Sequence, residues 1–195
     1  MVGKTTVVTP QRFAEGFTYG EYLSQIKVNK LRFQQFYDEF DPDDGEVERF
    51  RALMQRSGGP AKVLALGEDW CPDVYRGLPT MAKLADRAGV EVRVFPRDSN
   101  LDVMNEFLKE GKYQSIPTFV FYTEELGYIC HWIERPEVAD RESEEIESAI
   151  REENPGLDDR QFGIERRKRV SQRFPAWQQE TVREINEMLE GAMSG

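Results

Sequence analysis

Cysteine and histidine are nearly missing from this chain of 195 residues: there are two Cys, at 71 and 130, and one His, at 131. Two thiols cannot staple a small secreted scaffold. Two scattered Cys and one His do not make a metal-ligand cluster, so no metal and no cofactor is expected. Basic charge is also short. The 26 Lys and Arg stand against 36 Asp and Glu, a net charge of −10, which argues against nucleic acid as a partner of the whole surface. No apolar run comes near the ~20 residues of a membrane span. Residues 1–10 lack the ~7–15-residue apolar stretch of a signal peptide. Internal repeats and low-complexity tracts are also missing. What these absences leave is a soluble protein of a reducing cytoplasm, with Cys71 and Cys130 as free thiols.

The length suits one domain with attachments, at roughly 100–200 residues per domain. Hydrophobic content is 39%, and 12 Phe, 7 Tyr and 3 Trp can fill much of one core. Three stretches follow one another. Residues 1–60 read as a helical extension. Thr18 and Glu21 fit a capping box before Tyr22, Leu23 and Ile26, and Leu31, Phe33, Phe36, Tyr37 and Phe40 recur at helical spacing. Asp41, Asp43, Asp44 and Glu46 have the composition of a calcium loop. The glycine is at the wrong offset, however, and a helix start at Asp41-Pro42-Asp43-Asp44 explains the acids. Gly3, Lys4 and Thr5 match the end of a phosphate-binding loop, but the upstream glycine and the preceding strand are missing.

Residues 61–156 alternate between short apolar runs and amphipathic stretches. Val63–Gly67 and Val90–Phe95 read as strands, joined by a helix over 73–88. A second helix, capped by Asp98 or Ser99, carries Leu101, Met104 and Leu108. Thr118–Tyr122 and Tyr128–Ile133 read as an antiparallel hairpin, and a helix over about 138–152 follows. The order βαβαββα implies a small sheet with helices on both faces. Residues 157–195 form a C-terminal helical arm, set to pack on this chain or on a partner. It carries a basic burst at Glu165-Arg-Arg-Lys-Arg169, then a sparse stripe of Trp177, Val182, Ile185 and Leu189. The burst reads as a solvated helix face that pairs with the acids of 137–159.

Chemistry concentrates at Trp70-Cys71-Pro72-Asp73, which follows a buried strand and opens a helix. Unpaired N–H groups at a helix start favour a thiolate. Against this, the negative charge of Asp73 opposes it. Ser115-Ile116-Pro117-Thr118 stands at the start of another strand, and its X-Pro bond is a candidate for the cis form. Parallel strands through a helical crossover, followed by an antiparallel third strand, bring Cys71, Pro117 and the Arg97-Asp98 loop to one sheet edge. Ligands of open α/β sheets tend to bind at that edge.

In this strand order, in Trp70-Cys71 at the first helix start and in Ile116-Pro117 before the third strand, the chain resembles the thioredoxin superfamily over about 61–153. It most resembles bacterial thioredoxin family proteins with a Trp-Cys-Pro-Asp-type site and extra N-terminal helices. The resemblance implies a thioredoxin-like α/β fold with a four-stranded mixed sheet. It implies Cys71 as the attacking thiol; Trp70, Pro72 and Asp73 are the residues around it, and Trp70 reads as a packing lid on the site rather than a direct participant. Ile116 and Pro117 would hold an extended substrate by its backbone as an added strand, and Arg97 would draw an anionic small thiol. Two departures stand out. The family's second cysteine falls on Val74, and the buried acid six residues before the first cysteine falls on Ala65.

Cys130, midway along its strand, lies about 10 Å or more from Pro117 at ~3.3 Å per residue, too far for a disulfide with Cys71. His131 reads as a strand residue rather than a partner of Cys71. Two functions stay open. One is thiol–disulfide exchange through Cys71 alone, with a protein disulfide or a low-molecular-weight thiol. The other is a non-catalytic thioredoxin-fold binding module, or a subunit of a larger assembly, with a protein partner at the Pro117 edge. Val74 argues against a dithiol reductase and does not decide between the two.

Overall fold

The computed structural model describes residues 6–194; Gly3, Lys4 and Thr5 lie outside the described residues. A strand that is apolar along its whole length needs neighbours on both sides and cover on both faces. β1 (Lys62–Gly67) has both, because it lies second in a four-stranded sheet of order β2-β1-β3-β4. β2 (Glu91–Pro96) runs parallel to β1, with Gly67 opposite Pro96. β3 (Thr118–Tyr122) runs antiparallel to β1, with Leu66 opposite Thr118. β4 (Tyr128–Ile133) completes the hairpin with β3. The C-terminal ends of β1 and β2 and the start of β3 therefore share one edge, as the sequence implies.

The N-terminal stretch forms α1 (Pro10–Ala14), α2 (Tyr19–Gln25), α3 (Lys30–Glu39) and α4 (Asp44–Met54). The capping box of α2 is present, with Thr18 and Glu21 each satisfying the other's backbone N–H. Asp43 caps α4 by accepting from the N–H groups of Gly45 and Glu46, while Asp41 and Asp44 pair with Arg87. Glu46 pairs with Arg49 at 3.3 Å, so the four acids of this segment are engaged in a cap and three ion pairs. Phe33 and Phe40 are buried, and Phe36 stacks on Tyr75 of α5 (Pro72–Ala88) with ring centroids 6.0 Å apart.

One expected helix is shorter. α6 spans only Leu101–Met104, so Leu108 lies outside it, and neither Asp98 nor Ser99 caps it. Those two residues sit in a 3-10 turn at Arg97–Ser99. Asn100 stands at the cap position, but its amide donates to the Pro96 carbonyl at 2.6 Å and its oxygen accepts from Arg12 at 2.7 Å.

α7 (Glu137–Glu153) and α8 (Asp159–Ser171) lie together, joined by Arg166–Glu147 at 2.5 Å and Arg169–Glu153 at 2.7 Å. The basic burst therefore faces the acids of α7. The C-terminal helix α9 (Phe174–Met193) packs on its own chain: Trp177, Val182, Ile185 and Leu189 are all buried. The Trp132 indole of β4 donates to Glu184 at 3.1 Å, and Asn186 donates to the Glu46 carbonyl of α4 at 2.9 Å. Val182, Ile185 and Leu189 belong to the same hydrophobic cluster as Val63, Phe119 and Phe50. Removing buried methylenes loses transfer energy and leaves a cavity, so Ile185→Ala, at a site with 0% exposure, is expected to cost about 2–4 kcal/mol. Urea unfolding checks this, and a loss below about 0.5 kcal/mol would show that α9 is not part of the cooperative core.

Candidate functional site

Gly67 ends β1 and the chain turns through Glu68, Asp69 and Trp70 to Cys71, the residue that precedes α5. Pro72 opens the helix, where a missing N–H is no loss and its fixed φ already suits the helix. Cys71 has extended backbone angles, and its carbonyl accepts from the N–H groups of Val74 and Tyr75, both at 3.1 Å. Its side chain is buried, and the thiol donates to the Ile116 carbonyl at 3.7 Å. The Ile116–Pro117 peptide bond is cis. Pro117 packs under Gly77 of α5, where an added Cβ would stand 3.0 Å from the proline Cγ. At Gly67 an added Cβ would stand 2.7 Å from Val74. Val74, at the position of the family's second cysteine, is thus packed against the end of β1 and fully buried.

The charge state of Cys71 is set by opposing effects. Burial is the largest and pushes the thiol above its ordinary range, because a thiolate loses hydration there. Backbone N–H groups of Val74 and Asp73 pull it down, while the charges of Asp73 and Glu134 push it up. The helix-start stabilisation expected from the sequence is present and is outweighed by burial. The Asp73 carboxylate does not stand alone: it takes Arg76 at 2.6 Å and Arg135 at 3.0 Å.

The other expected residues reach the same edge. Trp70 is 51% exposed, and the Arg97 guanidinium lies 5.4 Å from its ring centroid. Arg97 also pairs with Asp98 at 2.6 Å and donates to the Gln114 carbonyl at 3.1 Å, ahead of Ile116. Cys130 stands opposite Phe121 on β4, is buried, and its thiol is pushed up to about 12 by that burial. Both cysteines are free. His131 stands opposite Val120 and holds the Tyr128 hydroxyl at 2.6 Å through Nδ1. Ala65 lies buried on β1 between Val94 and Phe119. Among the described residues, no group of three or more His, Cys, Asp or Glu could hold a metal, and no helix is long and apolar enough to cross a membrane.

Several residues of the site were not foreseen. Asp69 accepts from the N–H groups of Lys27 and Val28 at 2.7 and 3.1 Å, and its carbonyl accepts from the Asn29 amide at 2.8 Å. The link between α2 and α3 is thereby fixed to the loop before Cys71. Tyr22 of α2 is 2% exposed, and among the described residues its hydroxyl has no hydrogen-bond partner. The Arg76 pair was open to reading, since Asp73 and Arg76 stand three apart on a helix. Nothing local marks Arg135 or Glu134, which come to Asp73 and Cys71 only through the sheet.

A cysteine at a helix start, facing a cis-proline loop across one edge of a β2-β1-β3-β4 mixed sheet, defines a thioredoxin-fold protein. A family model described as thioredoxin matches residues 16–161, and the chain belongs to that family. The match reaches into the N-terminal helices, beyond the stretch that showed the resemblance. The chain is similar to the crystal structure of a protein of unknown function from Pseudomonas aeruginosa, with TM-score 0.65 and 14% identity over 95% of this chain and 99% of that one. It is also similar to the crystal structure of an HIV epitope-scaffold, with TM-score 0.63 and 13% identity over 94% and 99%. At these identities the likeness concerns the fold alone. No curated protein sequence matches the chain.

A thiol held protonated by burial reacts late on a pH scale. In a Cys130→Ser background, the pH midpoint for alkylation of Cys71 is expected above the reference of about 8.5. A midpoint at or below that reference would mean that the helix amides, not burial, set the charge.

Proposed function

We propose that the protein carries out one-cysteine thiol–disulfide exchange through Cys71. The observation that supports this most is the Cys71 thiol at the start of α5, 3.7 Å from the carbonyl of the residue before Pro117. In the forward step the Cys71 thiolate attacks one sulfur of a disulfide. A Cys71–substrate disulfide forms, and the second sulfur leaves as a thiolate that takes up a proton. An external thiolate then attacks the mixed disulfide and releases Cys71. With Val74 at the position of a second cysteine, the resolving thiol comes from outside.

The first-turn amides of α5 stabilise the Cys71 anion in this reading. Ile116 and Pro117 align the backbone of an extended protein substrate. Trp70, Pro72 and Asp73 border the thiol, and Arg97 supplies positive charge for an anionic low-molecular-weight thiol. A second reading, a binding module without turnover that holds a protein at the Pro117 edge, is favoured by one observation: Cys71 is buried, which pushes its thiol up and away from the thiolate form.

Oxidised glutathione separates the two. The Cys130→Ser protein is expected to form one mixed disulfide per chain, faster as pH rises, stable until an external thiol is added. Cys71→Ser in the same background is expected to form none, with both read by intact-mass measurement. Failure of folded Cys71 to form the adduct, under conditions where the unfolded chain does, would leave the binding module.

A further inference from the structure

Arg76 is the one formally charged residue among the buried ones described. It stands on α5 five positions after Cys71, with its side chain 4% exposed. Its guanidinium lies 5.0 Å from the Phe174 ring centroid and 5.2 Å from that of Trp177, both on the first turns of α9. Trp177 is held in turn, its indole N–H donating to Glu142 at 2.6 Å, and Glu142 pairs with Arg173 at 2.7 Å. From this aromatic slot Arg76 donates to one oxygen of Asp73 at 2.6 Å, while Arg135 takes the other at 3.0 Å. Arg135 also pairs with Asp140 at 2.5 Å.

α9 lies beyond residues 16–161, the part matched by the family. A buried ion pair is a poor device for stability alone, since well-packed apolar residues often do as well or better. Here the pair acts on a carboxylate two positions from the thiol. An uncompensated charge at Asp73 would repel a thiolate at Cys71, and a carboxylate bound by two guanidinium groups repels it far less.

We propose that Arg76 is a positioning residue for Cys71: seated between Phe174 and Trp177, it fixes and neutralises Asp73 and so keeps the thiol ionisable. The proposal rests on the reading of Cys71 as the working thiol and adds the C-terminal helix to its site. The other charged or titratable groups around the site are Glu134, which acts on the thiol, Tyr22 of α2, which faces it together with Glu68 and Asp69 of the preceding loop, Arg135 on Asp73, and Arg97 over Trp70. All are unchanged in the variants below.

The test is alkylation of Cys71 against pH, in the Cys130→Ser background. Arg76→Met is expected to raise the midpoint and slow alkylation at about pH 8 by roughly three- to tenfold, the size of one exposed charge acting across a few ångströms of protein. Arg76→Lys, which keeps the charge, is expected to restore most of the rate. Asp73→Asn with Arg76→Met removes both charges and is expected to alkylate at least as fast as the parent. An unchanged midpoint in Arg76→Met, or a double variant as slow as the single one, would overturn the proposal. If Arg76→Met does not fold, Arg76→Gln takes its place with the same expected rise in the midpoint, and a midpoint equal to the parent's would overturn the proposal. This profile needs no disulfide substrate, so it can fail while glutathione exchange succeeds, or succeed while exchange fails.

Discussion

Two close contacts seat α5, and the site depends on them. Gly77 leaves room for Pro117, and Gly67 leaves room for Val74. A side chain at Gly67 would force Val74 of the first helical turn to shift, and one at Gly77 would press tightly on Pro117. With the helix down, its first turn meets the sheet edge, and Cys71 lies under the Ile116 carbonyl rather than in water. The same seating carries Tyr75 to the α3 aromatics and Arg76 to α9. Position, burial and charge state of the thiol thus follow from one packing event.

That packing has a chemical cost. Helix-start amides stabilise an anion, yet a sulfur enclosed by protein loses more hydration than two N–H groups replace, so the net shift is upward. The negative charge of Asp73 adds to this only in part, because Arg76 and Arg135 bind both of its oxygens.

Much of this was legible in the sequence because it depends on local pattern. The all-apolar run of β1, the hairpin punctuated by Thr123–Gly127, the Thr18 capping box and the cysteine at a proline-opened helix each follow from residues close in the chain. The short α6 was not legible. Asn100 has the chemistry of a cap, and only the tertiary position of Pro96 and Arg12 shows that its amide is engaged elsewhere. The fate of α9 was also hidden: its sparse stripe suits an arm as well as a core helix. The partners that settle the matter come from three distant elements: Trp132 of β4 donates to Glu184, Glu46 of α4 accepts from Asn186, and Thr80 of α5 accepts from Gln178 at 2.9 Å. The same limit hid Arg135 and Glu134, which approach Asp73 and Cys71 through β4.

The segments before and after the central sheet are therefore more than flanking decoration. Phe17 exchanges backbone hydrogen bonds with Val94 at 2.9 and 2.7 Å, which adds a bridge at the outer edge of β2. The link between α2 and α3 closes on Asp69, and so fixes the loop from which Cys71 emerges. From the other end of the chain, α9 holds the one buried arginine that reaches the first turn of α5. With Val74 rather than a second cysteine beside it, the state of the Cys71 thiol depends on what surrounds it rather than on a neighbour's sulfur. Here those surroundings come from both ends of the chain: the N-terminal helices shape the loop behind Cys71, and the C-terminal helix governs the charge in front of it.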